Sequence, residues 1–170
     1  MKHHQLLLIL TVVLGGCSAD TMTAVQKSSA MCPTIPTDSK VIIRKDAYRD
    51  NQPTRWDIVA YRTNSGSTDL FLSRVVGLPG ETIQIADGKV KINGYDVQIP
   101  DSLSSGQSYV RNQHARWAMT TPYRILPMHV FLLSDNSRMA IDSRQLGSVH
   151  LDAIVGKVQW EIEQSRCRSK

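Results

Sequence analysis

The chain has 170 residues and a mass of 19.0 kDa, a length typical of one domain. With 41% hydrophobic and 21% charged residues, the composition is that of a globular protein and excludes a disordered one. The net charge of +5 suits an anionic membrane surface, but the basic residues are scattered, which argues against a nucleic-acid-binding arm. Three cysteines are too few for a disulfide framework or a four-cysteine zinc site.

The N-terminus has the pattern of an export signal. A basic start precedes nine mostly apolar residues at 6–14, and the run closes with Leu-Gly-Gly before Cys17. This run is shorter than the roughly 20 residues that cross a bilayer. Its end resembles a bacterial lipobox, which predicts a signal peptide over residues 1–16 and a lipid on Cys17. A simple signal peptide and an uncleaved anchor are the alternatives.

Residues 17–29 are rich in Ser, Thr, Ala and Lys and show no apolar periodicity, so we predict a tether between membrane and domain. If Cys17 carries lipid, Cys32 and Cys167 are the remaining thiols of the mature chain. They could pair in an oxidising exported compartment, although their spacing alone does not decide it.

From residue 30 onwards the apolar residues recur with a period of two, which is typical of strands. Asn93-Gly94 predicts a type I′ hairpin turn, residues 101–125 predict a long polar loop insertion, and no segment has the pattern of a ten-residue amphipathic helix. We therefore expect a single, mainly antiparallel β domain over residues 30–162, closed or half-closed into a barrel-like sheet, with a tail at 163–170. The predicted strands are 40–44, 57–61, 69–76, 82–85, 89–92, 95–99, 130–133 and 154–158.

Four stretches, in order, resemble the signal peptidase I family (peptidase S26), serine–lysine endopeptidases that remove signal peptides at a membrane surface. Ala-Met-Cys-Pro-Thr at 30–34 resembles the family's Ser-Met-x-Pro-Thr box, and Asp-Ile-Val at 57–59 its next strand. Arg-Val-Val-Gly-Leu-Pro-Gly-Glu at 74–81 resembles its lysine box, and the hairpin at 87–94 continues that match. Residues 130–136, with Asp-Ser-Arg at 142–144, resemble its last box. The resemblance implies a LexA-like antiparallel fold.

Three catalytic positions depart from the family pattern. Ala30 stands where the family has its nucleophilic serine, and Ser73 where it has the general-base lysine. Ala140 stands where the family has a supporting serine. Peptide hydrolysis by this device needs an oxygen nucleophile and a lysine whose pKa is lowered towards neutrality by burial. Loss of a serine nucleophile costs on the order of 10⁶ in kcat, so we predict an inactive member.

A relocated active site is the enzyme alternative. On an extended segment Ser29 would face away from the Ala30 side, whereas Ser28 would share that face about two residue rises away. Ser28 is therefore the candidate substitute nucleophile, with Lys27, Lys40 or Lys45 as a base. The resemblance instead implies that Ser28 inherits a role in holding the oxyanion.

The other matched residues have structural interpretations. Gly77, Pro79 and Gly80 predict a tight turn, and Asp142 and Arg144 an ion pair that braces a sheet edge. Cys32 is expected to be buried or paired. The histidines lack metal-site spacing, and we expect neither a metal nor another cofactor. The remaining positions that the resemblance assigns to the substrate groove or its frame are Met31, Pro33, Arg74 and Ser143.

Together these features predict an exported bacterial lipoprotein on the extracytoplasmic side of a membrane. Its partner would be an extended polypeptide or exported protein bound by strand addition, and nucleic acid is not expected. It would assist export or surface assembly, or present substrates to an active paralogue. An active serine endopeptidase and a passive scaffold without a peptide groove are the alternatives.

Overall fold

A computed structural model of the chain describes residues 20–63, 69–86, 88–99, 121–136, 138 and 140–160. Antiparallel strands dominate these ranges. The eleven strands there are β1 (Thr21–Val25), β2 (Lys40–Arg44), β3 (Ile58–Tyr61), β4 (Phe71–Gly77), β5 (Thr82–Ala86), β6 (Lys89–Ile92), β7 (Tyr95–Asp96), β8 (Tyr123–Arg124), β9 (His129–Leu133), β10 (Val149–His150) and β11 (Ile154–Gln159).

The strands form two antiparallel sheets. The larger has the order β1-β2-β11-β3-β4-β9-β10, and the smaller has the order β7-β6-β5-β8. Across the described residues the outer strands of the larger sheet do not pair with each other, so the sheets are open. The prediction of a single, mainly antiparallel β domain is confirmed in the form of sheets rather than a closed barrel.

The hairpin of the smaller sheet follows the predicted pattern. Strands β5 and β6 pair from Ile83–Ile92 to Ala86–Lys89. Asn93 and Gly94 have φ values of 52° and 86°, which a type I′ turn requires at both central residues. Strand β7 is shorter than the predicted strand over 95–99.

Strands β3, β4 and β9 lie at the centre and are buried on both faces. The apolar side chains of the smaller sheet pack with Phe131 and Leu133 on one side of β9. Val130 and Leu132 pack with Val59 and other residues on the opposite side. A central strand covered on both faces has little freedom to shift, which makes β4 a rigid support for side chains placed on it.

The predicted tether over 17–29 is wrong for Thr21–Val25, which forms β1, so the domain begins before residue 30. All five residues pair with β2, from Thr21 opposite Arg44 to Val25 opposite Lys40. Met22 and Ala24 pack against the core. The strand is stabilised mainly by backbone pairing at a sheet edge, which a run of Thr, Met and Ala does not signal through hydrophobic alternation.

The predicted insertion over 101–125 is wrong at its end, while residues 101–120 lie outside the described residues. Tyr123–Arg124 form β8 against β5, and Ile125 is fully buried. The sequence gives a weak signal there because only two residues pair.

Helical structure in the described residues is short. It comprises α1 (Ser143–Leu146) and two 3₁₀ turns, Lys45–Tyr48 and Leu151–Ala153. None of these helices has the length and apolar character needed to cross a membrane. The predicted signal peptide over 1–16 and the predicted tail at 163–170 lie outside the described residues.

A glycine in β11 tests the packing of the larger sheet. A Cβ on Gly156 would overlap the carbonyl of Arg44 on the neighbouring strand. We expect Gly156→Ala to destabilise the fold by about 3 kcal/mol, lowering the Tm by roughly 6–12 °C. Gly80→Ala is the control, because that site is open and only its φ of 79° is unfavourable, at about 1 kcal/mol. Equal losses in calorimetry would contradict this packing.

Candidate functional site

The loop between β1 and β2 carries Ala30. An extended segment was expected here, but the loop bends at Ser28 and turns from Ala30 onwards. The Cys32 amide donates to the Ser29 carbonyl at 3.0 Å, and the Ile35 amide donates to the Met31 carbonyl at 2.9 Å. Met31 is fully buried and anchors the turn, while Pro33 is exposed. The strand-face argument that separated Ser28 from Ser29 therefore does not apply.

Ser28 lies at the surface beside the altered position. Its hydroxyl accepts hydrogen bonds from the Ala30 amide at 3.3 Å and from the Gln26 amide group at 3.4 Å. The neighbouring Lys27 ammonium points to Asp38, 3.4 Å away, in an exposed ion pair. Throughout the described residues, no hydrogen bond joins a serine hydroxyl to a lysine amine.

Ser73, at the family's lysine position, lies on β4 with only 1% of its surface exposed. Its hydroxyl is 3.3 Å from that of Ser134 and also hydrogen-bonds to Tyr61. Burial raises the pKa of Tyr61, and the Asp142 carboxylate adds to this effect against the lowering by Ser73. Tyr61 is therefore a neutral phenol at physiological pH. The Ser73 hydroxyl is therefore surrounded by neutral hydroxyl groups, those of Ser134 and Tyr61.

The adjacent Arg74 connects the loop to the sheet. Its guanidinium binds both carboxylate oxygens of Asp135, at 2.8 and 2.6 Å, and donates to the Trp56 carbonyl at 2.9 Å. The Thr34 hydroxyl donates to the same carboxylate. Because Arg74 and Asp135 are both almost fully buried, this ion pair fixes the Ala30 loop against β4.

A second contact places Ala30 itself. The Asn136 amide donates to the Ala30 carbonyl at 2.8 Å, and its side-chain amide donates to the Ser29 carbonyl at 3.1 Å. Asn136 lies two residues after Ser134, so the segment following β9 contacts both altered positions. Thr34, Ser134 and Asn136 lie in the matched stretches but had no predicted role, because their polar types alone carry no signal. Tyr61 was predicted only as part of a strand.

Asp142, Ser143 and Arg144 form a buried brace. The Asp142 carboxylate caps α1 through the Arg144 amide, accepts from the Arg144 guanidinium at 2.8 and 2.7 Å, and accepts from the Ser134 amide at 3.0 Å. The Ser143 hydroxyl accepts from the Leu132 amide. The expected ion pair is present and buried. Its neighbouring hydroxyl and its carboxylate take up the Leu132 and Ser134 amides at the end of β9, beyond the two residues that pair with β10. Ala140 is nearly buried beside it.

Asp57, which begins the second matched stretch, links three elements. It accepts from the Lys157 ammonium at 2.6 Å, the Tyr48 hydroxyl at 2.9 Å and the Thr54 amide at 3.1 Å. Burial would raise the pKa of Asp57, but these donors outweigh it and hold that pKa below its usual range. The pKa of Tyr48 is raised by burial and by the Asp57 charge.

The lysine-box turn differs slightly from the expectation. Gly77 ends β4, where a Cβ would overlap Ile125, so its part in the turn was predicted wrongly. The turn is formed by Leu78 to Glu81, whose amide donates to the Leu78 carbonyl at 3.2 Å. Pro79 and Gly80, with φ of 79° at Gly80, occupy the central positions of a type II turn.

Only some of the cysteines and histidines considered in the sequence lie in the described residues. Cys32 is half-buried and disulfide-bonded, whereas Cys17 and Cys167 lie outside the described residues. His129 and His150 stack edge to face at the β9–β10 pair, 4.9 Å apart. Within the described part of the chain, no cluster of three or more potential metal ligands occurs.

One stretch of β4 has an open edge. Strand β9 ends at Leu133, opposite Arg74, so within the described residues the backbone from Phe71 to Ser73 pairs only with β3. Phe71 is 41% and Ile141 71% exposed beside this edge. They line a cavity of about 500 Å³ together with Tyr61 and Leu146. An apolar surface therefore lies beside a stretch of β4 whose strand pairing, in the described residues, is with β3 alone.

Comparison with known proteins gives matches over most of the chain. The family model described as "Signal peptidase, peptidase S26" matches residues 2–162. A signal peptidase I of Leptolyngbya laminosa is 30% identical over 76% of this chain and 63% of its own length. One from Bacillus caldolyticus is 29% identical over 82% of this chain and 80% of its own. A solved signal peptidase I of Enterococcus faecalis V583 aligns with 64% of this chain and 98% of its own, with 26% identity and a TM-score of 0.49.

The buried Arg74–Asp135 pair makes a measurable prediction. Asp135→Asn leaves the guanidinium buried without its counter-charge, so we expect a loss of about 3–5 kcal/mol in the free energy of unfolding. Asp38→Asn breaks the exposed pair with Lys27, and should cost at most about 1 kcal/mol. Urea denaturation of both variants measures the difference. Similar midpoints for the two would contradict the bracing role of Arg74.

Proposed function

Because the chain belongs to the S26 signal peptidase family, we propose that it is a catalytically inactive member, anchored to a membrane, that binds extended polypeptide. Its role would be to assist protein export or surface assembly, or to present substrates to an active relative. The observation that carries this proposal is Ser73, buried and bonded only to neutral hydroxyls at the family's lysine position.

The inactivity rests on the groups present at both reacting positions. The Ala30 side chain is a methyl group and cannot attack a carbonyl. At Ser73, a hydroxyl that is already hydrogen-bonded to Ser134 and Tyr61 cannot accept a proton near neutral pH. Nucleophile and base are both missing from the family positions, so the barrier to amide hydrolysis would remain high.

Peptide binding would use the edge of β4 from Phe71 to Ser73. Strand addition needs only free backbone donors and acceptors and pockets for alternate side chains, and neither requires the catalytic pair. Phe71 and Ile141 offer exposed apolar surface for those side chains. The Ala30 loop, held by Asn136, forms the adjoining wall. An extended, apolar polypeptide therefore fits this surface better than a folded partner.

The membrane anchor would be a lipid on Cys17, since the preceding residues have the pattern of a lipoprotein signal. Cys17 lies four residues before β1, and four extended residues span at most about 14 Å. Strand β1 belongs to the sheet, so the anchor would hold the domain close to the bilayer. This is a much shorter reach than a free segment up to Ala30 would give.

A relocated nucleophile is the second candidate function. Ser28 is exposed and its hydroxyl lies 3.3 Å from the Ala30 amide, which favours it over the other serines of the loop. Against it, Lys27 is engaged with Asp38 at the surface and no amine contacts the Ser28 hydroxyl in the described residues.

A cleavage assay separates these two functions. We expect the purified chain to release no product from a signal-peptide substrate, because nucleophile and base are lacking, while an active Bacillus signal peptidase I does so in parallel. Product is measured by mass spectrometry, and Ser28→Ala purified in the same way shows how much cleavage comes from contaminating proteases. Cleavage by the wild type that disappears in Ser28→Ala would establish the relocated nucleophile and refute the proposal that the protein is catalytically inactive.

Backbone pairing at β4 makes a prediction for binding. An extended apolar peptide should bind the protein, and N-methylation of alternate amides that point towards β4 should weaken binding at least tenfold, because each removed donor costs about 1 kcal/mol. The matched control is the same peptide methylated at the other alternate amides. Calorimetric titration gives both affinities. An equal effect of the two methylation patterns, or no binding at all, would favour the passive scaffold.

A further inference from the structure

Cys32 lies in the loop that carries Ala30, and it is disulfide-bonded. The chain contains two other cysteines, Cys17 and Cys167. The register of the larger sheet favours one of them, because it fixes the ends of the sheet at which β1 begins and β11 ends.

Strand β1 begins at the end of the sheet that is remote from Cys32. Thr21 pairs with Arg44, and Val25 pairs with Lys40, so β1 runs towards the loop that contains Cys32. To reach that loop, residues 17–20 would have to fold back along the whole of β1, which is about 13 Å long. Four extended residues span at most about 14 Å, which leaves nothing for the remaining distance into the loop.

Strand β11 ends at the same end of the sheet as Cys32. Lys157 pairs with Arg44 and Gln159 with Ile42, so β11 runs towards the start of β2, where the loop ends. Trp160 then packs against the cluster that contains Met31 and Ile35 of that loop. Cys167 follows seven residues later, a reach of up to about 24 Å. It can therefore meet Cys32 without displacing any strand.

We propose that Cys32 pairs with Cys167, so that a covalent strap ties the C-terminal segment to the Ala30 loop. The two thiols each lose a proton and together give two electrons to a disulfide-bearing oxidant of the exported compartment, which leaves as two thiols. The sulfur of Cys17 stays free for acylation, which a disulfide to Cys32 would prevent. The strap goes beyond the proposed function and does not depend on peptide binding.

Peptide mapping tests this pairing on the full-length protein extracted from membranes. Free thiols are alkylated and the protein is digested with trypsin without reduction. We expect the fragment 28–40 to be linked to the dipeptide 167–168, and reduction to separate them. A link from 28–40 to the fragment containing Cys17, or an alkylated Cys32, would overturn the proposal.

Two cysteine variants complete the test. In Cys167→Ser we expect Cys32 to become alkylated and the Tm to fall by about 10 °C, because the disulfide closes a loop of more than 100 residues. In Cys17→Ser, the matched control, the 28–40 linkage and the Tm of the detergent-solubilised chain should not change. A persistent disulfide at Cys32 in Cys167→Ser, or its loss in Cys17→Ser, would refute the strap.

Discussion

The ion pair between Arg74 and Asp135 holds together three parts of the chain that are far apart in sequence. The guanidinium is on the central strand β4, the carboxylate follows β9, and Thr34 of the Ala30 loop donates to the same carboxylate. Two charges so deeply buried are tolerated only when each is fully paired and hydrogen-bonded, and here the Trp56 carbonyl takes a further guanidinium donor. The rest of the site depends on this fixed point, since it sets where the loop meets the sheet.

Next to Arg74 of this ion pair, Ser73 is buried and its hydroxyl is hydrogen-bonded. A charged lysine at a position as buried as residue 73 would be costly without a partner. Ser73 instead forms hydrogen bonds with the hydroxyls of Ser134 and Tyr61. Ala140 is also buried.

Much of the fold could be predicted from the sequence because alternation of apolar residues is strong where one face of a strand is buried. The hairpin from Thr82 to Ile92 and its Asn-Gly turn are the clearest examples. Strands β1, β8 and β10 were missed because edge pairing of a few residues depends on backbone hydrogen bonds, which leave little mark on side-chain type. In the site, Ala30, Ser73 and Arg74 could be found through motif spacing. Tyr61 and Asn136 could not, because their contacts join residues remote in the chain.

The contact from Asn136 to Ala30 does not depend on the side chain at position 30. It is made through the main-chain carbonyl of residue 30, an atom that every amino acid supplies. Exchange of the side chain at this position therefore costs the architecture almost nothing, so the anchoring of the loop is indifferent to whether residue 30 carries a hydroxyl or a methyl group.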